Sequence, residues 1–247
     1  MSNYVFIGDV HSQYSNFSAA IRWVQENVED YHIIQGGDLF DSRTQESDSL
    51  GVYNLVRSLG DKITVLHSNH HLKLYKYLTQ DNNNMQNLES LMRTVNDFGF
   101  DTNEELRDEV TKWLSSLSYG VAIKDNDGLE YRACHAYWFS RLYVSHDYKG
   151  IYKIFDVSSK AKGQMLYGIS RRGVDGNSEQ ILWWNSTEHR QHETFVRVAF
   201  HYHTVSIDLQ NRYLILDGSC GDDNGTLIAY DVNNKQCVGF QSGTRLF

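Results

Sequence analysis

Five short clusters hold the side chains best able to do chemistry. They are Gly8-Asp9-Val10-His11, Gly37-Asp38-Leu39-Phe40-Asp41, Ser68-Asn69-His70-His71, Cys134-His135-Ala136 and His201-Tyr202-His203-Thr204. Their donors are carboxylate, amide and imidazole, with no paired thiolates. That set suits divalent manganese, iron, zinc, nickel or magnesium better than a structural zinc knot. Each cluster alone has a plainer reading. Asp9 and Asn69 can be turn residues, and Asp38 and Asp41 can cap helices. His11 can be a surface side chain, and His135 a buried histidine bonded to backbone. His201 and His203 can be a cross-strand pair. Five such clusters in series, each at the end of an apolar run, are harder to attribute to chance.

The elements that must position them follow from periodicity. Asn3 to Gly8, His32 to Gln35 and Ile63 to Leu66 read as short buried strands. Tyr14 to Val28 and Leu50 to Leu59 carry helical apolar spacing between them. Strand, helix, strand, helix, strand predicts an α/β fold with parallel early strands. In such sheets ligands gather at the carboxyl ends of strands, where the clusters fall. The stretch 72–117 is mostly helical and polar, an expected insert or cap on a single domain spanning 1–247. From Tyr119 the texture becomes strand-rich, with Gly120–Lys124, Glu130–Cys134, Phe195–Phe200, Val205–Leu209, Tyr213–Asp217 and Thr226–Asp231. Asp125-Asn126-Asp127-Gly128 and Gln210-Asn211 supply hairpin turns. Residues 149–194 give no clear pattern.

Composition narrows the field. The net charge of −8 argues against a broad basic surface for duplex nucleic acid. Bound cations would reverse the potential locally, so a short nucleic-acid end remains compatible as substrate. No apolar run is long enough to span a bilayer, so no membrane association is expected. The start of the chain lacks a signal-peptide pattern. The three cysteines, Cys134, Cys220 and Cys237, form no C-x-x-C motif, and a cytoplasmic setting is expected. Proline is absent, so turns rely on Gly, Asn, Asp and Ser.

The clusters together resemble the signature of calcineurin-like (PPP-type) metallophosphoesterases: G-D-x-H, G-D-x-x-D, G-N-H-[DE], a strand ending in His, then G-H-T. The resemblance runs from Tyr4 to Tyr230. It is nearest the branch of bacterial and phage phosphatases, diadenosine tetraphosphate hydrolases and the phosphatase domain of polynucleotide kinase-phosphatase. Asn69-His70-His71-Leu72-Lys73-Leu74, Trp113-Leu114-Ser115-Ser116-Leu117 and Tyr213-Leu214-Ile215-Leu216-Asp217-Gly218-Ser219-Cys220 are similar to that branch, as is Gly225-Thr226-Leu227-Ile228-Ala229. The resemblance implies two mixed β-sheets flanked by helices, with a dinuclear metal site at strand ends.

Carried over, Asp9, His11 and His203 would hold one metal, Asn69 and His135 the other, and Asp38 would bridge them. The two divalent ions would be manganese first, with iron, zinc, nickel or magnesium as alternatives. His70 would protonate the leaving oxygen, with Asp41 orienting it. The family's phosphate-gripping arginine falls at Ser42, and Arg43 follows it. Arg171, Arg172 and His201 are further candidates for binding substrate phosphate. Ser68 and His71 depart from G-N-H-[DE], and Tyr202 replaces the glycine of G-H-T.

The expected chemistry is hydrolysis of phosphate mono- or diesters. Two cations ~3.5–4 Å apart clamp the attacking and leaving oxygens, and a hydroxide bridging them attacks phosphorus directly. The expected substrate is a phosphorylated small molecule, a nucleotide, a phosphoprotein or an RNA end. The alternative is a catalytically weak binding or scaffold module, favoured only by Ser68, His71 and Tyr202.

Overall fold

The computed structural model describes residues 3–42, 44, 47–79, 88–139, 142–145, 147–172, 178–185 and 194–247, with backbone alone at 171, 172 and 178. The first half contains β1 (Asn3–Ile7), α1 (Tyr14–Asn27), β2 (Tyr31–Gln35), α2 (Ser49–Leu59), β3 (Ile63–Val65), α3 (Asn69–Leu78), α4 (Leu88–Phe98) and α5 (Glu104–Ser115). The middle adds β4 (Gly120–Lys124), β5 (Glu130–Cys134), β6 (Tyr152–Ile154), α6 (Ser159–Tyr167), β7 (Ser170–Arg172) and β8 (Ser178–Gln180). The chain then forms β9 (Val196–Ala199), β10 (Val205–Asp208), β11 (Tyr213–Leu216), β12 (Leu227–Asp231), β13 (Gln236–Gln241) and β14 (Thr244–Arg245).

Two mixed six-stranded sheets result. One runs β14-β13-β12-β1-β2-β3 and the other β10-β11-β9-β5-β4-β6. β1, β2 and β3 are parallel, as their connecting helices require. β5, β9 and β11 are also parallel neighbours. The metal-motif loops after β1, β2, β3, β5 and β9 can therefore converge at the carboxyl ends of two sheets.

β1 shows why an apolar run rather than an alternating one marks the centre. Tyr4 and Phe6 pack toward the second sheet, with Tyr131, Val198, Phe200 and Leu214. Val5 and Ile7 face the opposite way, toward Phe17, Ala20 and Val24 of α1. Both faces are buried, so every position is apolar. Truncating fully buried Phe6 to Ala would cost about 3–5 kcal/mol.

The expected stretch 72–117 resolves into α3, α4 and α5, whose Leu74, Leu91, Val95 and Leu114 join the core beneath the first sheet. The elements β6, α6, β7 and β8 fall in the span without a clear pattern, and β13 and β14 add strands that alternation did not single out. Both expected hairpins form, between β4 and β5 and between β10 and β11.

Candidate metal centre

Two loops, after β1 and β2, are drawn together by backbone bonds before any side chain acts. The Val10 and His11 amides both donate to the Asp38 carbonyl, at 3.0 and 2.8 Å, and Ser12 N–H donates to the Leu39 carbonyl at 2.7 Å. Buried Gln35 adds a side-chain clamp, donating to the carbonyls of Gly8 and Gly37 and accepting from Gly37 N–H. The loops are locally strained: His11, Ser12, Asp38, Asp41 and His203 all have positive φ, from 42° to 76°. Non-glycine residues hold that conformation where surrounding structure enforces it, often at functional sites. Gly37, with φ of 109°, has no alternative. A Cβ there would also lie 2.6 Å from Ser68 Cβ and 2.9 Å from His135 Nδ1.

Asp38 is the centre of the cluster. Its Oδ2 lies 3.8 Å from His11 Nε2, 3.8 Å from His70 Nε2 and 3.4 Å from His135 Nε2. Burial alone would raise its pKa, but the surrounding imidazoles outweigh burial and hold it well below the usual range. Donor atoms of His11, Asp38 and His70 lie within 4.8 Å of one another, as do those of Asp38, His135 and His201. Asp38 belongs to both sets.

The histidines are oriented in the manner of ligands. His11 Nδ1 is 3.2 Å from the Asp41 carbonyl, and His135 Nδ1 is 3.0 Å from the Gly36 carbonyl. A carbonyl accepts only, so each Nδ1 carries the proton and each Nε2 presents a lone pair. His135 Nε2 is also 2.8 Å from Asn69 Oδ1 and 3.1 Å from His201 Nδ1. These groups converge on one point, an arrangement that suits a shared cation. Asp9 gives an independent test: its Oδ1 is buried with no hydrogen-bond partner among the described residues. Burial, Asp217 and Asp38 raise its pKa well above normal. An orphaned carboxylate oxygen beside oxygen and imidazole donors fits a divalent cation.

His70 is different. Its Nδ1 bonds to Asp41 Oδ2, which also accepts from Lys73 Nζ at 2.8 Å. Burial lowers the His70 pKa, but Asp38 and Asp41 together raise it above the ordinary value. Asp41 is drawn down to about 2, because the bonds to His70 and Lys73 outweigh its burial.

The structure brings His201 against His135. His201 was expected on the substrate phosphate and His203 on a metal. β9 ends at Ala199, so neither histidine lies in a strand. His203 is exposed, and its Nδ1 is 3.3 Å from Ser219 Oγ. Its backbone N–H donates to Asp217 Oδ2 at 2.6 Å. Arg43 lies outside the described residues. Arg171 and Arg172 lie in β7, and their side chains are outside the description.

Each departure from the family pattern has a structural partner. Ser68 Oγ accepts from Asp38 N–H at 3.0 Å and from His71 N–H at 3.2 Å, capping α3 while fixing Asp38. His71 is fully buried, bonds the Leu66 carbonyl through Nδ1 and lies 3.4 Å from Leu39 N–H through Nε2. Tyr202 is buried in a cluster with Ile169, Ala199 and Ile215, edge-on to Trp184 at 4.7 Å between ring centroids. Ser42, in the arginine position, is buried and bonded to Gln13 and Thr44.

Asp217 was not singled out as a site residue. It closes β11 and accepts from both His203 and Ser219 amides, while its charge reaches Asp9 and His11. The signal that flagged Asp9 and Asp38, a carboxylate ending an apolar strand, applies to it equally.

Among solved structures, a "putative diadenosine tetraphosphatase" aligns with 16% identity over 96% of this chain and 92% of its own, with a TM-score of 0.63. A protein serine/threonine phosphatase from Saccharomyces cerevisiae, with similarity to human phosphatase PP5, aligns with 10% identity over 97% of this chain and 80% of its own, with a TM-score of 0.54. At these identities the likeness concerns the fold. A comparison with curated proteins finds no match. The family model for calcineurin-like phosphoesterases matches residues 2–225. With the strand-end donor cluster and this match together, the chain belongs to the calcineurin-like phosphoesterase family of metal-dependent hydrolases.

Proposed function

We propose that this protein hydrolyses phosphate mono- or diesters at a two-metal centre, acting on a nucleotide or another phosphorylated small molecule. The observation that carries the reading is Asp38, whose single carboxylate is shared by two donor sets. Asp9, His11 and Asp38 would hold one cation, with His203 on the same side beside Asp217. Asp38, Asn69, His135 and His201 would hold the other. When bound, two divalent cations supply charge for the phosphate oxygens and acidify a water, so that no covalent phosphoenzyme is needed.

The chain's own residues do the rest. His70 lies near enough to Asp38 to be a ligand, but its Nδ1 is committed to Asp41. That bond orients the ring and favours the imidazolium, so Nε2 can give a proton to the leaving oxygen. Lys73 keeps Asp41 ionised through the same oxygen. The alternative of an inactive scaffold draws on Ser68, His71 and Tyr202, and each of these supports the local packing instead. A phosphoprotein substrate is the second reading, motivated by the fold likeness to a protein phosphatase.

The test is a panel of alkyl phosphates, nucleotides and phosphopeptides, assayed on stripped protein reloaded with Mn²⁺. Manganese-dependent turnover of at least one class is expected. Full activity after exhaustive chelation would overturn the metal mechanism.

A further inference from the structure

We propose that Tyr167 is the platform on which the base of a nucleoside phosphate stacks, at the rim of the metal centre. The inference rests on the phosphoesterase reading above and names the substrate class of that site.

Tyr167 is the last residue of α6, and the structure fixes where that helix ends. Ala136 N–H donates to the Met165 carbonyl at 2.7 Å, and Tyr137 N–H donates to the Gln164 carbonyl at 3.1 Å. The last turn of α6 is therefore tied to the residues directly after His135. The following residue, Gly168, has φ of 77°, and a Cβ there would lie 2.6 Å from the hydroxyl of Tyr202, the neighbour of His201. Tyr167 thus stands between the segments carrying His135 and His201, the two histidines that share Asp38.

The anchoring residues are buried: Met165, Leu166, Ala136 and Tyr202 are all at most 7% exposed. Tyr167 itself is 52% exposed. An aromatic ring held rigidly at its backbone and left half open costs little entropy when a ligand lies against it. Burial and the Asp38 charge both act on its hydroxyl, which agrees with a place beside the metal-binding carboxylates.

The position favours a base over an aryl phosphate. In an aryl phosphate the ring is bonded to the ester oxygen and must sit among the metal donors. In a nucleotide the base is one sugar away from the phosphate and reaches the rim. Every base has a stackable face, so such a platform tolerates different bases.

The test compares AMP with ribose 5-phosphate, which lacks only the base. Calorimetry on the Mn²⁺-loaded wild type should show AMP binding roughly 5- to 100-fold more tightly than ribose 5-phosphate. Tyr167→Ala should collapse that ratio to about twofold or less, and Tyr167→Phe should keep most of it, because the ring does the stacking. A wild-type ratio near one, or an unchanged ratio in Tyr167→Ala, would overturn the platform. Neither measurement needs turnover. A protein that separates the two ligands through Tyr167 yet hydrolyses no phosphoester would support the platform and refute the phosphoesterase reading alone.

Discussion

His135 Nε2 and His201 Nδ1 lie 3.1 Å apart, with the Asp38 carboxylate 3.4 Å from the His135 nitrogen. Two imidazole nitrogens at that separation share either a proton or a metal. His201→Ala is therefore expected to lower bound metal from about two ions per chain to about one. His203→Ala is expected to weaken the Asp9 side instead, through a group anchored by Asp217 and Ser219. Elemental analysis of both variants, with anomalous scattering to locate the remaining ion, decides the matter. Full occupancy in His201→Ala would remove it from the ligand set.

Asp38 is predicted to control both ions at once. Asp38→Asn preserves shape but halves the donor capacity and removes the charge that three imidazoles face. Metal content should fall toward zero and activity by roughly 10²-fold or more. Retention of one tightly bound ion would show that the two donor sets do not share this carboxylate.

His70 should matter in proportion to how badly the leaving group needs a proton. His70→Ala is expected to lower kcat on an alkyl phosphate by roughly 10²–10³-fold, and far less on para-nitrophenyl phosphate. Asp41→Asn should follow the same pattern more weakly, since it leaves the imidazole in place. Equal losses on both substrates, accompanied by lost metal, would mark His70 as a ligand.

Ser68 tests a departure from the family. Ser68→Ala removes the α3 cap and leaves the buried Asp38 amide without its acceptor. A loss of about 2 kcal/mol is expected in denaturant unfolding. Metal affinity should fall as well, because the same hydroxyl fixes the Asp38 backbone. Unchanged stability would mean that water replaces the hydroxyl at no cost.

Two buried histidines predict the acid side of the stability profile. Burial lowers His67 to about 4 and His71 to about 3, well under the ordinary 6.5. A folded-state pKa below the unfolded one means that the unfolded chain binds more protons between the two values. The stabilisation is whole above about pH 6.5 and drains away as pH falls toward 4 and 3, on the order of 3–5 kcal/mol per group at the limit. Urea unfolding of metal-free protein should show stability falling between pH 7 and 5, with a shallower slope in His71→Gln. A flat profile over that range would contradict neutral burial of these rings.

Much of this site was legible from spacing alone. Asp9, Asp38, Asn69 and His135 follow short apolar runs, and strands buried on both faces produce such runs whatever the wider context. Donor type is a property of the side chain, so the suitability of these groups for a divalent cation was legible too. The placement of His201 and His203 was not, because it depends on β9 ending at Ala199 and on a left-handed turn at His203 with φ of 49°. That turn is held by Asp217, which follows a strand that pairs in parallel with β9. Nor could local sequence place Tyr167 near His135. The link is made by two backbone hydrogen bonds between segments about thirty residues apart, in a region without periodicity. Local pattern determined which groups were available for chemistry. Long-range backbone pairing decided which of them meet, since strand ends and turns are set by partners the local sequence does not contain.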